Sequence, residues 1–402
     1  MNLIVTVDHH FVETPDGKVW CASIHNSKFW DRYTAVFDKV YVVCRYRKAS
    51  DVSQVDEYLL SSAEGVEFVG VKDFIGPKDY LRNFLEIKQD IKRKLSGFRN
   101  RQDTVAIYRI PSTLGFLVYD YLEGKGAGVY GVELVADPET AYQTSNKLIN
   151  FIVTMRYANK VRLICKNAAS VGYVTKDYLQ KKYPTWGFQT NYSSGGIDEE
   201  DYFIKNQVSA PVTFVHVSNM HCNIKGIDTL LLALSQLKKE GYHFKCFLIG
   251  DGRHRQFYEK MVQDENLQDE VSFTGAFSAY AQIRAYLMKS DVFVFPSHAE
   301  GLPRVVIEAM SCSLAVIASP VGGTPELLQP DYLVDFHDVK GYYKVMRELL
   351  EAPANIMKIG KENYEIALTY SVDKLMQRRQ KMYNELMRKK LEGVEPVGKG
   401  TI

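Results

Sequence analysis

Short, mostly continuous apolar runs recur along the chain, at residues 3–7, 40–44, 105–108, 212–217, 244–249, 292–295 and 314–318. Runs this short and unbroken suit strands covered on both faces of a parallel sheet. Between them lie longer stretches with apolar side chains at helical spacing. Leu230, Leu231, Leu234 and Leu237 form one stripe within residues 227–240, and residues 280–288 and 305–312 read the same way. Strand and helix alternating in this manner predict an α/β fold of doubly wound parallel sheets. The alternation weakens at residues 193–211, where Ser-Ser-Gly-Gly is followed by Asp198, Glu199, Glu200 and Asp201 and then by Ser-Ala-Pro. This reads as a linker between two Rossmann-like halves, whose facing strand ends would form a ligand cleft. Beyond Pro353 the pattern is helical to about Leu391, and residues 393–402 read as a loose tail. The expected division is therefore 1–195, 208–370, and a helix at 371–391 returning toward the first domain.

A chain of 402 residues, 46% hydrophobic and 24% charged, has room for two domains and can bury their cores without disulfides or metals. None of its six cysteines (Cys21, Cys44, Cys165, Cys222, Cys246, Cys312) stands at C-x-x-C spacing, so reduced, mostly buried thiols are expected rather than a zinc site. The 26 basic and 21 acidic side chains up to residue 195, against 24 and 27 beyond it, leave neither half strongly basic. That argues against a general nucleic-acid binder. The first residues lack the basic start and long apolar core of a signal peptide, and no run approaches the roughly 20 apolar residues that span a bilayer. The expected location is the cytoplasm, with any membrane contact peripheral.

The most informative stretch is residues 291–310, D-V-F-V-F-P-S-H-A-E-G-L-P-R-V-V-I-E-A-M, with A-V-I-A-S-P-V-G-G-T-P-E-L-L after it. A strand ends at Phe295, Glu300 and Gly301 fall in the loop, Pro303 suits a helix start, and Glu308 sits more than one turn into that helix. Two carboxylates are thus placed at a sheet's carboxyl edge. The backbone N–H groups of Gly301, Leu302 and Arg304 lie at the helix N-terminus, where phosphate oxygens bind. Carboxylates accept hydrogen bonds from vicinal hydroxyls, so such a site could hold a sugar, a diphosphate and a ribose in series.

This segment resembles the E-x7-E motif of retaining GT-B glycosyltransferases of glycosyltransferase family 4. The resemblance extends over the second half: S-S-G-G-I-D-E-E-D-Y-F before the linker's end, Lys225-Gly226 ahead of a helix, the Gly250-Asp251-Gly252 turn, and the strand and turn ending at Gly275. It implies that Glu300 contacts the donor sugar, Glu308 the nucleotide ribose, and Lys225 the diphosphate, whose growing charge its ammonium would stabilise. It places Gly275 beside the base. It further implies a GT-B architecture, a UDP- or GDP-sugar as donor, a glycan or lipid-linked acceptor, transfer with anomeric retention, and a part in surface polysaccharide or glycoconjugate synthesis. No D-x-D pair suits a divalent cation, so neither a metal nor any other cofactor is expected. Where the family has an arginine shortly before the lysine, this chain has Asn219, and half of the usual diphosphate clamp is missing. Arg304, Arg253 or a first-domain arginine could replace it, with Arg304 favoured by its place in the motif loop.

The first half says less. Residues 18–37, after Asp16-Gly17, read as helical. The strand ending at Arg109 and the one carrying Glu133, followed by Asp137, put these three groups near the expected cleft as acceptor-side or catalytic candidates. A structural ion pair for Arg109 weighs equally. His9 and His10 end the first strand and read as satisfied polar groups. Residues 88–101, K-Q-D-I-K-R-K-L-S-G-F-R-N-R, carry Ile91, Leu95 and Phe98 on one face. Two readings stay open: an exposed helix with a core-facing stripe, which weighs more, and a basic helix lying on an anionic membrane surface. Two rivals to a transferase also stand: a sugar-nucleotide-binding partner subunit without turnover, and a sugar-nucleotide epimerase. The lack of G-x-G-x-x-G after the first strand of either half argues against a dinucleotide dehydrogenase.

Overall fold

The computed structural model describes residues 1–99, 101–124, 128–141, 147–277 and 279–393; most of the tail expected to be loose, residues 394–402, lies outside them. The chain forms two compact units. One comprises Met1–Val174, Leu179–Tyr192 and the chain from Met376 onward; the other comprises Thr175–Tyr178 and Ser193–Leu375.

The first unit is built on β1 (Asn2–Glu13), β2 (Val19–Cys21), β3 (Val40–Lys48), β4 (Leu59–Leu60), β5 (Val66–Lys72), β6 (Thr104–Ile110), β7 (Tyr130–Leu134), β8 (Ser170–Tyr173) and β9 (Phe188–Asn191). Seven of these run parallel in the order β5-β3-β1-β6-β7-β8-β9. β7 and β8 are buried along their whole length, as strands covered by helices on both faces must be. The strand order reverses beside β1. There the register slips between Val7 and His10, which lets Asp8 and His9 bulge out of the ladder. Asp8 pairs with Arg45 at 2.8 Å, and His10 Nδ1 lies 2.7 Å from Asp73. The last helix, Val372–Leu391, passes into this unit at Met376. It buries Met382, Tyr383 and Leu386, and the Tyr383 ring sits 5.7 Å from that of Tyr33 and 5.5 Å from that of Phe37.

Residues 18–37 are not one helix. Val19, Trp20 and Cys21 pair antiparallel with the end of β1, and the Trp20 indole N–H donates to Thr14 Oγ1 at 3.0 Å. Only a short 3-10 turn, Ser27–Trp30, and one helical turn, Asp31–Thr34, follow. Pairing with a strand already in place outweighs a local helical pattern. Within residues 88–101 the apolar stripe turns inward: Ile91 and Leu95 are buried, and Phe98 meets Tyr41 edge to face with ring centroids 4.7 Å apart.

The second unit holds β10 (Val212–Val217), β11 (Phe244–Ile249), β12 (Val271–Gly275), β13 (Val292–Phe295) and β14 (Ala315–Ala318), all parallel in the order β12-β11-β10-β13-β14. β10, β13 and β14 are buried end to end. Helix Ile227–Lys239 lays Ile227, Leu230, Leu231, Leu234 and Leu237 into the core beside Phe214, Leu248 and Val294. The order reverses between β10 and β13, the place in a doubly wound sheet where ligands bind at the strands' carboxyl ends. The stretch read as a linker is tied down within this unit. The Phe203 N–H donates to Ser311 O at 2.9 Å, Lys205 Nζ pairs with the buried Asp291 at 2.8 Å, and Arg284 reaches Asp201 at 3.5 Å. Among the described cysteines, all free, only Cys222 is exposed.

Candidate active site

The loop leaving β10 and the loop leaving β13 are locked together by glycine. After β10 the chain makes a 3-10 turn, Asn223–Lys225, and closes it with Gly226 in the left-handed region at φ +68°. A Cβ on Gly226 would stand 2.0 Å from the carbonyl oxygen of Pro296. Only glycine permits both the backbone angle and the approach. The His298 N–H donates to Ile224 O at 2.8 Å across the same seam. This contact sets Lys225 opposite Glu300: Nζ lies 2.6 Å from Glu300 Oε1 and 5.5 Å from the centre of the Phe295 ring. Ser297 Oγ donates to the same Oε1 at 2.6 Å. Among the described residues no partner takes Oε2.

A third loop braces the backbone at Glu300 and Gly301. Gly322, at φ +55°, would bring a Cβ to 2.1 Å from Glu300 O, and the Gly323 N–H donates to Gly301 O at 2.6 Å. Pro303 is the N-cap of helix Arg304–Ser311, and Leu302 stands just ahead of it. Glu308, on that helix, is nine-tenths buried and takes a hydrogen bond from Arg304 Nη2 at 3.2 Å. Burial pushes its carboxyl up, and the Arg304 guanidinium opposes that only in part. Arg304 also packs on Gly195, where an added Cβ would come within 2.9 Å of its guanidinium carbon. Its charge is therefore engaged by Glu308.

The loop after β10 rests on the Gly-Asp-Gly turn. A Cβ on Gly250 would lie 1.8 Å from Ser218 O, one on Gly252 2.3 Å from the Met220 carbonyl carbon, and the Met220 N–H donates to Asp251 O at 2.8 Å. Gly275 joins the same turn by accepting from the Gly250 N–H at 2.9 Å. Asn219 is exposed, with its Oδ1 3.4 Å from the His221 N–H, and Arg253 Nη2 reaches His221 O at 3.3 Å.

Sequence reasoning missed His216 and Ser297. His216 is buried with Nδ1 2.8 Å from Val294 O and Nε2 2.8 Å from Ser218 Oγ. A carbonyl only accepts, so Nδ1 carries the proton and Nε2 receives the Ser218 hydroxyl. Burial pushes this histidine down to about 4, against the rise from its bond to Val294 and with a further lowering from Lys225. The unfolded chain, near 6.5, therefore binds more protons between these values, and stability must fall as pH drops from neutrality toward 4. The expected loss between pH 7 and 5 is about 2 kcal/mol, read from urea midpoints at the two pH values. His216→Gln is expected to flatten that slope; an unchanged slope would assign it to other groups.

The remaining candidates lie in the first unit. Arg109 and Glu133 form a buried ion pair at the ends of β6 and β7, joined by three tyrosine hydroxyls: Tyr33 at 3.0 Å, Tyr192 at 3.2 Å and Tyr383 at 2.8 Å from the carboxylate. Asp137 is fully buried and accepts from Lys182 at 2.7 Å, Tyr183 at 2.8 Å and the Glu139 N–H at 3.0 Å. His9 packs at a tilt against His25 with ring centroids 4.4 Å apart, and burial lowers its pKa. Asp16 folds back on Thr14 and Lys18 in the turn that Gly17 closes at φ +79°. Lys225 with Glu300, Arg304 with Glu308, and Arg109 with Glu133 are thus brought together as pairs. Among the described residues no three His, Cys, Asp or Glu side chains converge as metal ligands would, and no helix is long and apolar enough to cross a membrane.

Residues 198–366 match the family model of glycosyl transferases group 1. Protein CapJ of Staphylococcus aureus is 26% identical over 351 residues, which cover 84% of this chain and 87% of CapJ. The amylovoran biosynthesis glycosyltransferase AmsK of Erwinia amylovora is 26% identical over 42% of this chain and 44% of its own. In structure the chain is similar to the sucrose-phosphate synthase of Thermosynechococcus elongatus, at a TM-score of 0.72 and 18% identity over 96% of this chain and 99% of that one. It is also similar to Anabaena HepE in complex with UDP, at a TM-score of 0.65 and 16% identity over 96% and 100%. The fold is that of GT-B glycosyltransferases, as the motif resemblance implies, and residues 198–366 carry a glycosyl transferases group 1 segment.

Proposed function

We propose that the protein transfers a sugar from a nucleoside-diphosphate donor to a hydroxyl of a glycan or lipid-linked acceptor, with anomeric retention, in the synthesis of a surface polysaccharide or glycoconjugate. The observation that carries this reading is the Lys225–Glu300 pair, held at 2.6 Å where the strand order of the second unit reverses. In this reading the 208–370 domain takes the donor and the 1–195 domain the acceptor. The Lys225 ammonium meets the diphosphate and stabilises the charge that grows on it as the glycosidic bond breaks. Glu300 Oε2 accepts from sugar hydroxyls, and the Glu308 carboxylate from the ribose. The backbone around Gly301, Leu302 and Arg304 faces phosphate oxygens, and Gly275 and Asn219 border the nucleotide. Lysine and helix N-termini supply the positive charge, and no metal is invoked.

Support comes from the relatives. HepE has been solved with UDP and with UDP-glucose, and AmsK and the putative colanic acid transferase WcaL of Escherichia coli serve polysaccharide synthesis by name. UDP or a UDP-sugar is the first donor to test. In a thermal-shift screen of UDP, GDP and their sugars, one nucleotide is expected to raise the melting temperature, since a ligand of the folded state stabilises it. The same donor should be hydrolysed slowly without acceptor. A donor that binds but is never consumed, with acceptor or without, would point instead to a partner subunit lacking turnover. A new sugar nucleotide formed without acceptor would point to an epimerase.

A further inference from the structure

The helix Gly76–Leu95 carries two faces of different character. One face packs on the first unit with Ile87, Ile91 and Leu95, all buried. On the opposite face Leu81 and Leu85, one turn apart, are 72% and 73% exposed, and Ile75, just before the helix, is 76% exposed. Large aliphatic side chains this bare, clustered at the start of one helix, are unusual on a soluble surface. The same face carries Lys78, Arg82 and Lys88, each three residues from Leu81 or Leu85, and Lys92 one turn beyond Lys88.

These cations differ from others on the helix. On the adjoining flank, Lys72 pairs with Glu86, and Arg93 and Lys94 pair with Asp90, around a groove of about 910 Å³. Asp79 is turned back to the Ile75 N–H at 2.8 Å and to Asn83. Lys78, Arg82, Lys88 and Lys92 have no carboxylate partner among the described residues; Lys88 lies over the Phe84 ring at 5.2 Å. Four such cations around two bare leucines form a surface that is apolar at its centre and positive at its rim. An anionic bilayer matches it: acyl chains take the leucines and headgroup phosphates take the lysines and the arginine. A protein partner would have to offer an apolar groove with an acidic rim; a second copy of this helix would set like charges against each other.

We infer that the Leu81–Leu85 face of this helix is a docking surface for an anionic lipid bilayer. The contact is peripheral: it needs only the shallow burial of the leucines. Its cationic rim runs into residues 88–101 through Lys88 and Lys92, while Ile91 and Leu95 of that segment belong to the core. The inference does not depend on the proposed transfer reaction, since it is tested without donor or acceptor.

The test is cosedimentation of the full chain with vesicles of phosphatidylcholine alone and of phosphatidylcholine with about one-third phosphatidylglycerol. Binding is expected to the anionic vesicles, with at least about tenfold weaker partition to the neutral ones and marked loss on raising salt, as screening requires. Leu81→Ser with Leu85→Ser should reduce binding about tenfold or more, and Arg82→Gln with Lys88→Gln, two of the four cations, should remove about half of its salt dependence. All four positions are exposed, so the melting temperatures should stay put. Equal partition of the wild type to both vesicle types, or undiminished binding of the leucine variant, would overturn the inference. So would self-association of the wild type that the Leu81→Ser and Leu85→Ser changes abolish without vesicles present.

Discussion

Replacing Lys225 by alanine is expected to lower kcat/KM for the donor by about a hundred- to a thousand-fold, the usual scale for removing one preorganised group aimed at charge developing in the transition state. Lys225 is held by Glu300 at 2.6 Å and by the left-handed turn at Gly226, so its ammonium is positioned before any ligand arrives. The cost of orienting it is met during folding rather than during the reaction. Two roles must be separated, because the same lysine also neutralises Glu300. If Lys225 acts only by orienting that carboxylate, Glu300→Gln, which keeps the Ser297 bond and needs no counter-charge, should make Lys225→Ala harmless. If Lys225 acts on the diphosphate, the loss should persist in the double variant, and affinity for the nucleoside diphosphate should fall with it. Activity of Lys225→Ala within about threefold of wild type would remove the lysine from the mechanism, as the kinetic comparison is a direct measure of lost transition-state stabilisation.

The second large effect is on stability. Glu133→Ala is expected to destabilise the first unit by about 3–5 kcal/mol, because it leaves the Arg109 guanidinium buried without its counter-charge. It also removes the carboxylate that accepts from the Tyr33, Tyr192 and Tyr383 hydroxyls, which come from three separate segments and converge on it. Removing both charges, with Arg109→Met and Glu133→Leu, should recover much of the loss, since an apolar pair needs no desolvation of ions. Burial alone would push the Glu133 carboxyl up. The Arg109 guanidinium, with Arg379, the Tyr383 hydroxyl and Arg32, reverses this and holds it below its usual value. A lowered folded pKa means that the contribution is present above the unfolded value, near 4.3, and is lost as pH falls through the folded one. Urea unfolding at pH 7 reads the first effect, and its decline on acidification reads the second. A Glu133→Ala protein with unchanged stability but no transfer would move this group from the scaffold to the reaction.

The parallel strands β10, β13 and β14 were legible because each is buried on both faces and therefore apolar without a break, whereas β5, β9 and β12 are partly exposed and give no such run. The run 212–217 is β10, with all six positions buried. The Glu300 to Glu308 segment was legible for a related reason: strand end, turn, proline and helix are contiguous, and the spacing of the two carboxylates is set by local geometry. The segment 18–37 misled because its fate depends on β1, several residues upstream and already extended; pairing Trp20 with Val12 overrode the helical pattern.

What the sequence determined by itself was the kind of sheet, the helix stripes and the residue types at the strand ends of the second unit. Those follow from periodicity and from rules that act within a dozen residues. Tertiary structure alone decided which charges meet. Lys225 lies 75 residues from Glu300, and Tyr383 lies 250 from Glu133. Both pairings depend on where strands lie in a sheet order that no local pattern encodes. It also decided which side of helix Gly76–Leu95 the core claims. Apolar residues stand on both sides, Ile87 and Ile91 on one and Leu81 and Leu85 on the other, and only packing against the sheet shows that the second set is left in solvent.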